Sequence, residues 1–196
     1  MKHNASGLVV NVGPYIKRVP PETSAYCQEL GLPLFVVPWD VRLVDVTQDI
    51  CRRIFQSEQT EMTVSEAFKN AIFFPADSAK YLAQLESHGF SGEADYCVVI
   101  LAGENLGKEE SLSFWRFAVE NTISRLVEKY SVWKHGGQLV LILAGVSEAE
   151  QEACAEKLAA LGEKPGYGHI RVGIGRNQCG VVHLARSYQQ ALAAVQ

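Results

Sequence analysis

The residues best suited to hold a small polar molecule are Tyr15, Trp39, Asp40 and Arg42. They fall in two short segments, Gly13-Pro14-Tyr15 and Pro38-Trp39-Asp40-Val41-Arg42, each placed after an apolar run that reads as a strand. In open α/β sheets ligands gather at the carboxyl ends of parallel strands. Two aromatics, one acid and one cation at neighbouring strand ends therefore make a candidate effector site. The plainer alternative has Trp39 as a packing residue and Asp40 paired with Arg42. Other chemistry-bearing residues are scattered. Glu104 stands alone between Gly103 and Asn105, with no second carboxylate to share a metal. The five histidines form no His-x-x-x-His pair. The five cysteines, Cys27, Cys51, Cys97, Cys154 and Cys179, are odd in number and contain no Cys-x-x-Cys. That argues against a disulfide framework and a zinc site, and for buried free thiols in a reducing cytoplasm. Cys97 and Cys154 sit on apolar faces and read as packing residues. Gly173-Ile174-Gly175-Arg176-Asn177-Gln178-Cys179-Gly180 fits neither Gly-x-Gly-x-x-Gly nor the P-loop. No nucleophile turn of the Gly-x-Ser-x-Gly type is present. No cofactor is expected.

The stretch Lys134-His135-Gly136-Gly137-Gln138-Leu139-Val140 lies between two apolar runs, as a hairpin turn does. It resembles the Gly-Gly-Asp-Glu-Phe signature of diguanylate cyclases, with both glycines kept and both acids gone. Gln138 and Leu139 stand where that family places its carboxylates. Mg²⁺ wants hard anionic oxygens, which an amide and an aliphatic side chain do not supply. Phosphoryl transfer without a metal clamp loses most of its charge stabilisation. The resemblance thus implies a catalytic fold turned to sensing or assembly, and the chain is expected not to be an enzyme.

Elements must position these residues. Gly7–Gly13 and Pro33–Pro38 read as short buried strands. Between them Pro20-Pro21-Glu22 opens a helix that ends at Leu30, with Gly31 just beyond. A helix from about Val44 to Phe55 follows, completing a right-handed βαβα unit. This unit is too small to be comfortable alone. The polar stretch 56–62 is expected to be a boundary, after which Thr63-Val64-Ser65-Glu66 reads as a capping box. It opens a short helix ending before Pro75; Asp77 caps another, closed by Gly89. Tyr96–Ala102 is a strand. Glu109 to Tyr130 is expected as one long helix with Trp115, Val119, Ile123, Leu126 and Tyr130 on one face. Ser131–His135 and Gln138–Ala144 form the hairpin. Ser147-Glu148-Ala149-Glu150 is a second capping box, starting a helix with Cys154, Leu158 and Leu161 on one face and Gly162 at its end. His169–Gly175 is a strand, and a last helix runs from about Val182. The fold class is α/β (α+β): a partial βαβα unit over 1–58, then a ferredoxin-like, nucleotide-cyclase-related βαββαβ domain over 59–196.

Composition narrows the functions. Hydrophobic residues make up 47% and the net charge is −4. Lys17-Arg18 and Arg52-Arg53 are the only adjacent Lys/Arg pairs, so the chain lacks the basic patch by which DNA-binding domains usually announce themselves. No signal peptide is expected from the N-terminal residues, and the longest apolar runs are too short to span a bilayer, so a cytoplasmic protein without a membrane partner is expected.

Two further segments sharpen the family. Leu30–Thr47, reading LGLPLFVVPWDVRLVDVT, resembles the end of the N-terminal domain of the purine catabolism regulator (PucR) family. Val172-Gly173-Ile174-Gly175-Arg176 followed by Ser187-Tyr188-Gln189-Gln190-Ala191 resembles the end of the cyclase-like domain in that family and in the sugar-diacid regulators. The resemblance covers essentially the whole chain. It implies the C-terminal half of a sensory domain plus a degenerate GGDEF-like domain of a bacterial transcription regulator. It also implies a small-molecule metabolite effector, and DNA contact only through a C-terminal helix-turn-helix not found in these residues. A homodimer is expected, because a two-stranded half-sheet leaves an open edge and dimers suit palindromic operators. Two rivals stay open: a free-standing interaction or nucleotide-binding module, and an active nucleotide cyclase.

Overall fold

The computed structural model describes residues 6–103, 109–163 and 168–196, with backbone alone at 109–113. The chain divides into two compact units, 1–58 and 59–196.

In the first unit β1 (Leu8–Val12) and β2 (Leu34–Pro38) pair in parallel, Leu8 against Leu34 through Val12 against Pro38. The crossover between them is α1 (Pro21–Glu29), with proline in its first turn, and Gly31 takes the left-handed backbone (φ +61°) that stops it. Among the described residues of this unit only Cys27 is buried, while Val9, Phe35, Val36, Ile50 and Phe55 are exposed. Two strands and a crossover bury too little to close a core.

The next element corrects the sequence reading. Helix α2 runs without a break from Leu43 to Phe73. The polar segment 56–62 does not interrupt it, because Gln, Glu and Met are good helix formers. Nor does Thr63 cap a new helix. Its hydroxyl donates back to the Gln59 carbonyl (2.9 Å), and Glu66 pairs with Lys69 instead of reaching backwards. Residues 64–72 of α2 bury Val64, Ala67, Phe68, Ala71 and Ile72 in the second unit.

That unit is built on β3 (Asp95–Gly103), β4 (Lys129–His135), β5 (Gln138–Ala144), β6 (Ile170–Ile174) and the two-residue β7 (Gln178–Cys179). The order is β4-β5-β3-β6, with β7 also on β3, and every neighbouring pair is antiparallel. With α4 (Glu109–Ile123) and α5 (Glu148–Leu161) as the crossovers, this is the ferredoxin-type βαββαβ arrangement. The sheet is covered on both faces, so its central strands are continuous apolar runs. Tyr96, Val98, Ile100, Val140, Ile142 and Trp133 turn to the face held by α2, α3 (Ser78–Ser87) and α6 (Leu184–Val195). Cys97, Val99, Leu101, Leu139, Leu141 and Leu143 turn to the face held by α4 and α5, where Trp115 lies.

Helix α4 also departs from expectation. It stops at Ile123, and the Ile123 carbonyl accepts from the backbone N–H groups of Leu126 (2.8 Å) and Val127 (2.9 Å) to turn the chain. Tyr130 belongs to β4, opposite Leu143. The run Asn121-Thr122-Ile123-Ser124 is weak in helix propensity, and Thr122 back-bonds to Ala118, so the helix ends without Gly or Pro. The second capping box is formed in full: Ser147 Oγ accepts from the Glu150 N–H, and the Glu150 carboxylate accepts from the Ser147 N–H (2.8 Å). Asp77 precedes α3 but makes no side-chain cap, lying 3.9 Å from Lys80 instead. Helix α6 packs onto Gly173 of β6 and onto Gly175 just beyond that strand, where backbone meets backbone. Among the described residues no helix is long and apolar enough to cross a membrane.

Candidate functional sites

Three places could carry function. The first is the loop pair of the first unit. The Gly13 N–H donates to the Ile16 carbonyl (2.7 Å) and the Asn11 amide to the Pro38 carbonyl (3.4 Å). These bonds fold the loop after β1 beside the loop after β2. Trp39 lies flat on Gly13, where a Cβ would come within 2.7 Å of the Trp39 Cβ. Tyr15 meets Trp39 edge to face at 6.2 Å between ring centroids. Trp39 is 59% exposed and Tyr15 89% exposed. Asp40 and Arg42 are exposed beside them, and among the described residues no ion pair joins the two. Tyr15 and Trp39 make an open aromatic shelf, and Asp40 and Arg42 follow it in the chain, both exposed.

The second place is the hairpin. Gly136 and Gly137 both take positive φ (56° and 79°), the requirement of a two-residue type I′ turn, and His135 closes it opposite Gln138. The tip is held to α2 by the His135 ring, 4.7 Å from that of Phe73. Leu139 is buried against α4 and α5, and Gln138 is half-buried. The donor set does not fit a divalent cation: one neutral amide and one aliphatic side chain replace two carboxylates. Glu104 lies outside the described residues. Among those described there is no group of three His, Cys, Asp or Glu placed to hold a metal.

The glycine-rich segment Gly173–Gly180 is no phosphate loop, because it spends its backbone internally. The Gly175 N–H donates to the Val98 carbonyl (2.9 Å) and the Arg176 N–H to the Gln190 side chain (2.9 Å). All five cysteines are free, and Cys97 and Cys154 are fully buried. The Cys97 thiol donates to the Gly175 carbonyl at 3.1 Å, and burial, with Cys154 nearby, pushes its pKa up to about 12. It is a packing thiol, not a nucleophile. Cys51 and Cys179 are exposed, which corrects the expectation that the thiols are buried.

The third place has no counterpart in the sequence reading. At the free edge of β4 a cleft of about 550 Å³ opens between Thr60, Glu61, Val64 and Ser65 of α2, Arg116 and Glu120 of α4, Tyr130–Val132 of β4, Ser87 at the end of α3, and His88 and Phe90 just after it. Arg116 is gripped from both sides, by Glu120 (Nε to Oε1, 2.7 Å) and by Glu61. Burial opposes its charge, but the two carboxylates outweigh burial and raise its pKa. Tyr130 stays a neutral phenol, its pKa raised by burial and then by Glu120 and Glu61. These residues come from four elements at irregular spacing, and no sequence motif joins them.

Comparison with known proteins places the chain. A family model of the GGDEF-like domain matches residues 75–196, and one of the purine catabolism regulatory protein-like family matches residues 1–54. No curated protein matches the chain. Among solved structures it is similar to a regulator of polyketide synthase expression from Bifidobacterium adolescentis, at 14% identity and a TM-score of 0.48. That match covers 66% of this chain and 48% of the other, so this chain spans about half the length of that regulator. It is also similar to the diguanylate cyclase SiaD, solved with its activator SiaC from Pseudomonas aeruginosa, at 12% identity and a TM-score of 0.34, over 89% of this chain and 73% of the cyclase.

Proposed function

We propose that this chain, which belongs to the GGDEF-like domain family through residues 75–196 and matches the purine catabolism regulatory protein-like family over residues 1–54, is the effector-sensing and assembly region of a transcription regulator and catalyses no reaction. The observation that carries this reading is the hairpin. Its glycines keep the turn geometry while Gln138 and the buried Leu139 replace the acids a cyclase needs for its metal. The effector is a small metabolite held on the shelf formed by Tyr15, Trp39, Asp40 and Arg42. Operator contact is not assigned to these residues, whose net charge is −4. The exposed apolar side chains of the first unit support self-association into a homodimer. The setting is the cytoplasm.

Two measurements test the reading. GTP and Mg²⁺ incubated with the protein should show no turnover above a boiled control; steady product formation would sink the non-catalytic assignment. A metabolite screen by thermal shift should find a stabilising compound whose effect Trp39→Ala abolishes. Trp39 is more than half exposed, so the variant should remain folded. A folded variant with an unchanged shift would take Trp39 out of the site.

A further inference from the structure

The β4-edge cleft lies wholly within the second unit and shares no residue with the Tyr15–Trp39 shelf, so its occupancy does not depend on the effector assignment. We propose that this cleft binds a small organic cation: an amine with a short apolar body and an oxygen at its far end.

Charge comes first. The lining holds two carboxylates, Glu61 and Glu120, and one guanidinium, Arg116, already engaged by both. Counting His88 as neutral, the lining carries a net charge of −1. A phosphate or carboxylate ligand would find no free cation there and would meet two acids. An ammonium group would find carboxylate oxygens that a single guanidinium does not exhaust, because each carboxylate has about four lone-pair positions. The His88 Nδ1 is taken up by its neighbours, 2.9 Å from the Gln84 carbonyl and 3.0 Å from the Ser87 hydroxyl.

The floor supplies the second half of the specificity. Ser65 and Ser131 are only 8% and 6% exposed, and their hydroxyls meet each other at 3.3 Å. That is long for an O–H···O bond. Among the described residues it is the only bond either hydroxyl makes. One proton is shared between them and the other is unspent, so the pair offers a donor to an oxygen arriving from the cleft. Buried hydroxyls seldom go unsatisfied. Val64, Phe90 and Val132 form the apolar wall between floor and rim. A cleft of about 550 Å³ is in the ordinary range for a small-molecule site. Occupancy would also be read by the protein. An ammonium between Glu61 and Glu120 competes with Arg116, the residue that ties α2 to α4.

The test is a titration of the whole 196-residue chain followed by amide NMR, with tyramine, agmatine and ethanolamine as probes. The control is 4-hydroxyphenylacetate, which keeps the body and phenol of tyramine and reverses its charge. Tyramine or ethanolamine should saturate at millimolar concentration or below, moving the amides of Ser65, Ser131 and Arg116, while the anion leaves them in place. Glu120→Gln keeps a hydrogen bond to Arg116 but removes a charge, and should weaken the amine about tenfold, the equivalent of one charge-assisted bond. Ser131→Ala, which deletes a single oxygen and leaves the fold intact, should weaken oxygen-bearing tyramine and ethanolamine but not agmatine. The proposal is overturned if no amine moves those amides, if the anion binds equally well, if the shifts fall elsewhere, or if Glu120→Gln binds as the parent does.

Discussion

Replacing Gly175 with alanine should destabilise the second unit well beyond the cost of a typical point substitution. A Cβ at this position would lie 2.0 Å from the Ser187 carbonyl oxygen, 2.4 Å from Ser187 Oγ and 2.6 Å from the Ser187 carbonyl carbon. Two of these are backbone atoms of α6, so no rotamer change relieves the contact. Helix and strand must part by roughly 1.4 Å to restore ordinary van der Waals separation, in an interior packed like a crystal. Overpacking of this kind costs about 1–3 kcal/mol. The same movement pulls Ser187 Oγ from the Val98 N–H, which donates to it at 3.0 Å in the buried core. A buried amide left without its acceptor costs about 1–3 kcal/mol more. The sum is about 2–6 kcal/mol, and at about 3 °C per kcal/mol for a domain of this size the melting temperature should fall by about 6–18 °C. Circular dichroism melts and urea titrations of parent and variant measure it. Ser187→Ala serves as the comparison, since it removes the hydrogen bond without the clash and should cost only the second part. A Gly175→Ala loss below about 1 kcal/mol, or one no larger than that of Ser187→Ala, would refute the claim that backbone proximity sets the cost.

The two Ser/Thr-x-x-Glu segments should respond differently to alanine. Ser147→Ala should cost about 1 kcal/mol because it removes a formed cap, whereas Thr63→Ala, losing only a bond to the preceding turn, should cost at most about 0.5 kcal/mol; thermal melts distinguish them. A thiol reagent under native conditions should titrate Cys51 and Cys179 quickly, leaving Cys27, Cys97 and Cys154 until the protein is unfolded. Fast modification of Cys97 would contradict its burial. Alkaline pH should destabilise the fold. Burial raises both Cys97 and Tyr96 to about 12 from ordinary values of 9.0 and 10.0, so the unfolded chain gives up these protons first. Stability should hold below about pH 9 and decline as pH rises towards 12, and urea titrations across that range check the slope.

Much of this architecture was readable in the residues themselves. The strands are short, β-branched and bounded by turn formers, and the Gly136-Gly137 turn has one conformation that suits a tight hairpin. What failed were helix ends. Thr63-Val64-Ser65-Glu66 and Ser147-Glu148-Ala149-Glu150 carry the same capping pattern, yet only the second is a cap. Ser147 follows a strand and Gly145, whose positive φ has already broken the regular backbone, while Thr63 follows a run of residues content to stay helical. Ile123 ends α4 for the reverse reason: four weak helix formers in succession do what no glycine or proline was there to do. Of the possible sites, the loop pair could be placed because each loop follows its own strand. The β4-edge cleft could not. Arg116 looks like any surface cation on an amphipathic helix, and only the folded chain brings Glu61, 55 positions earlier, to its guanidinium.

The three tryptophans fall one to a compartment: Trp39 on the open loops of the first unit, Trp115 on the buried side of α4, and Trp133 on the opposite face of the sheet. Each indole therefore sits in its own solvent, one wet and two dry, and the protein arrives with its fluorescent labels already in place. Replacing any two by phenylalanine would leave emission that speaks for a single layer. Unfolding could then be followed compartment by compartment without attaching a dye.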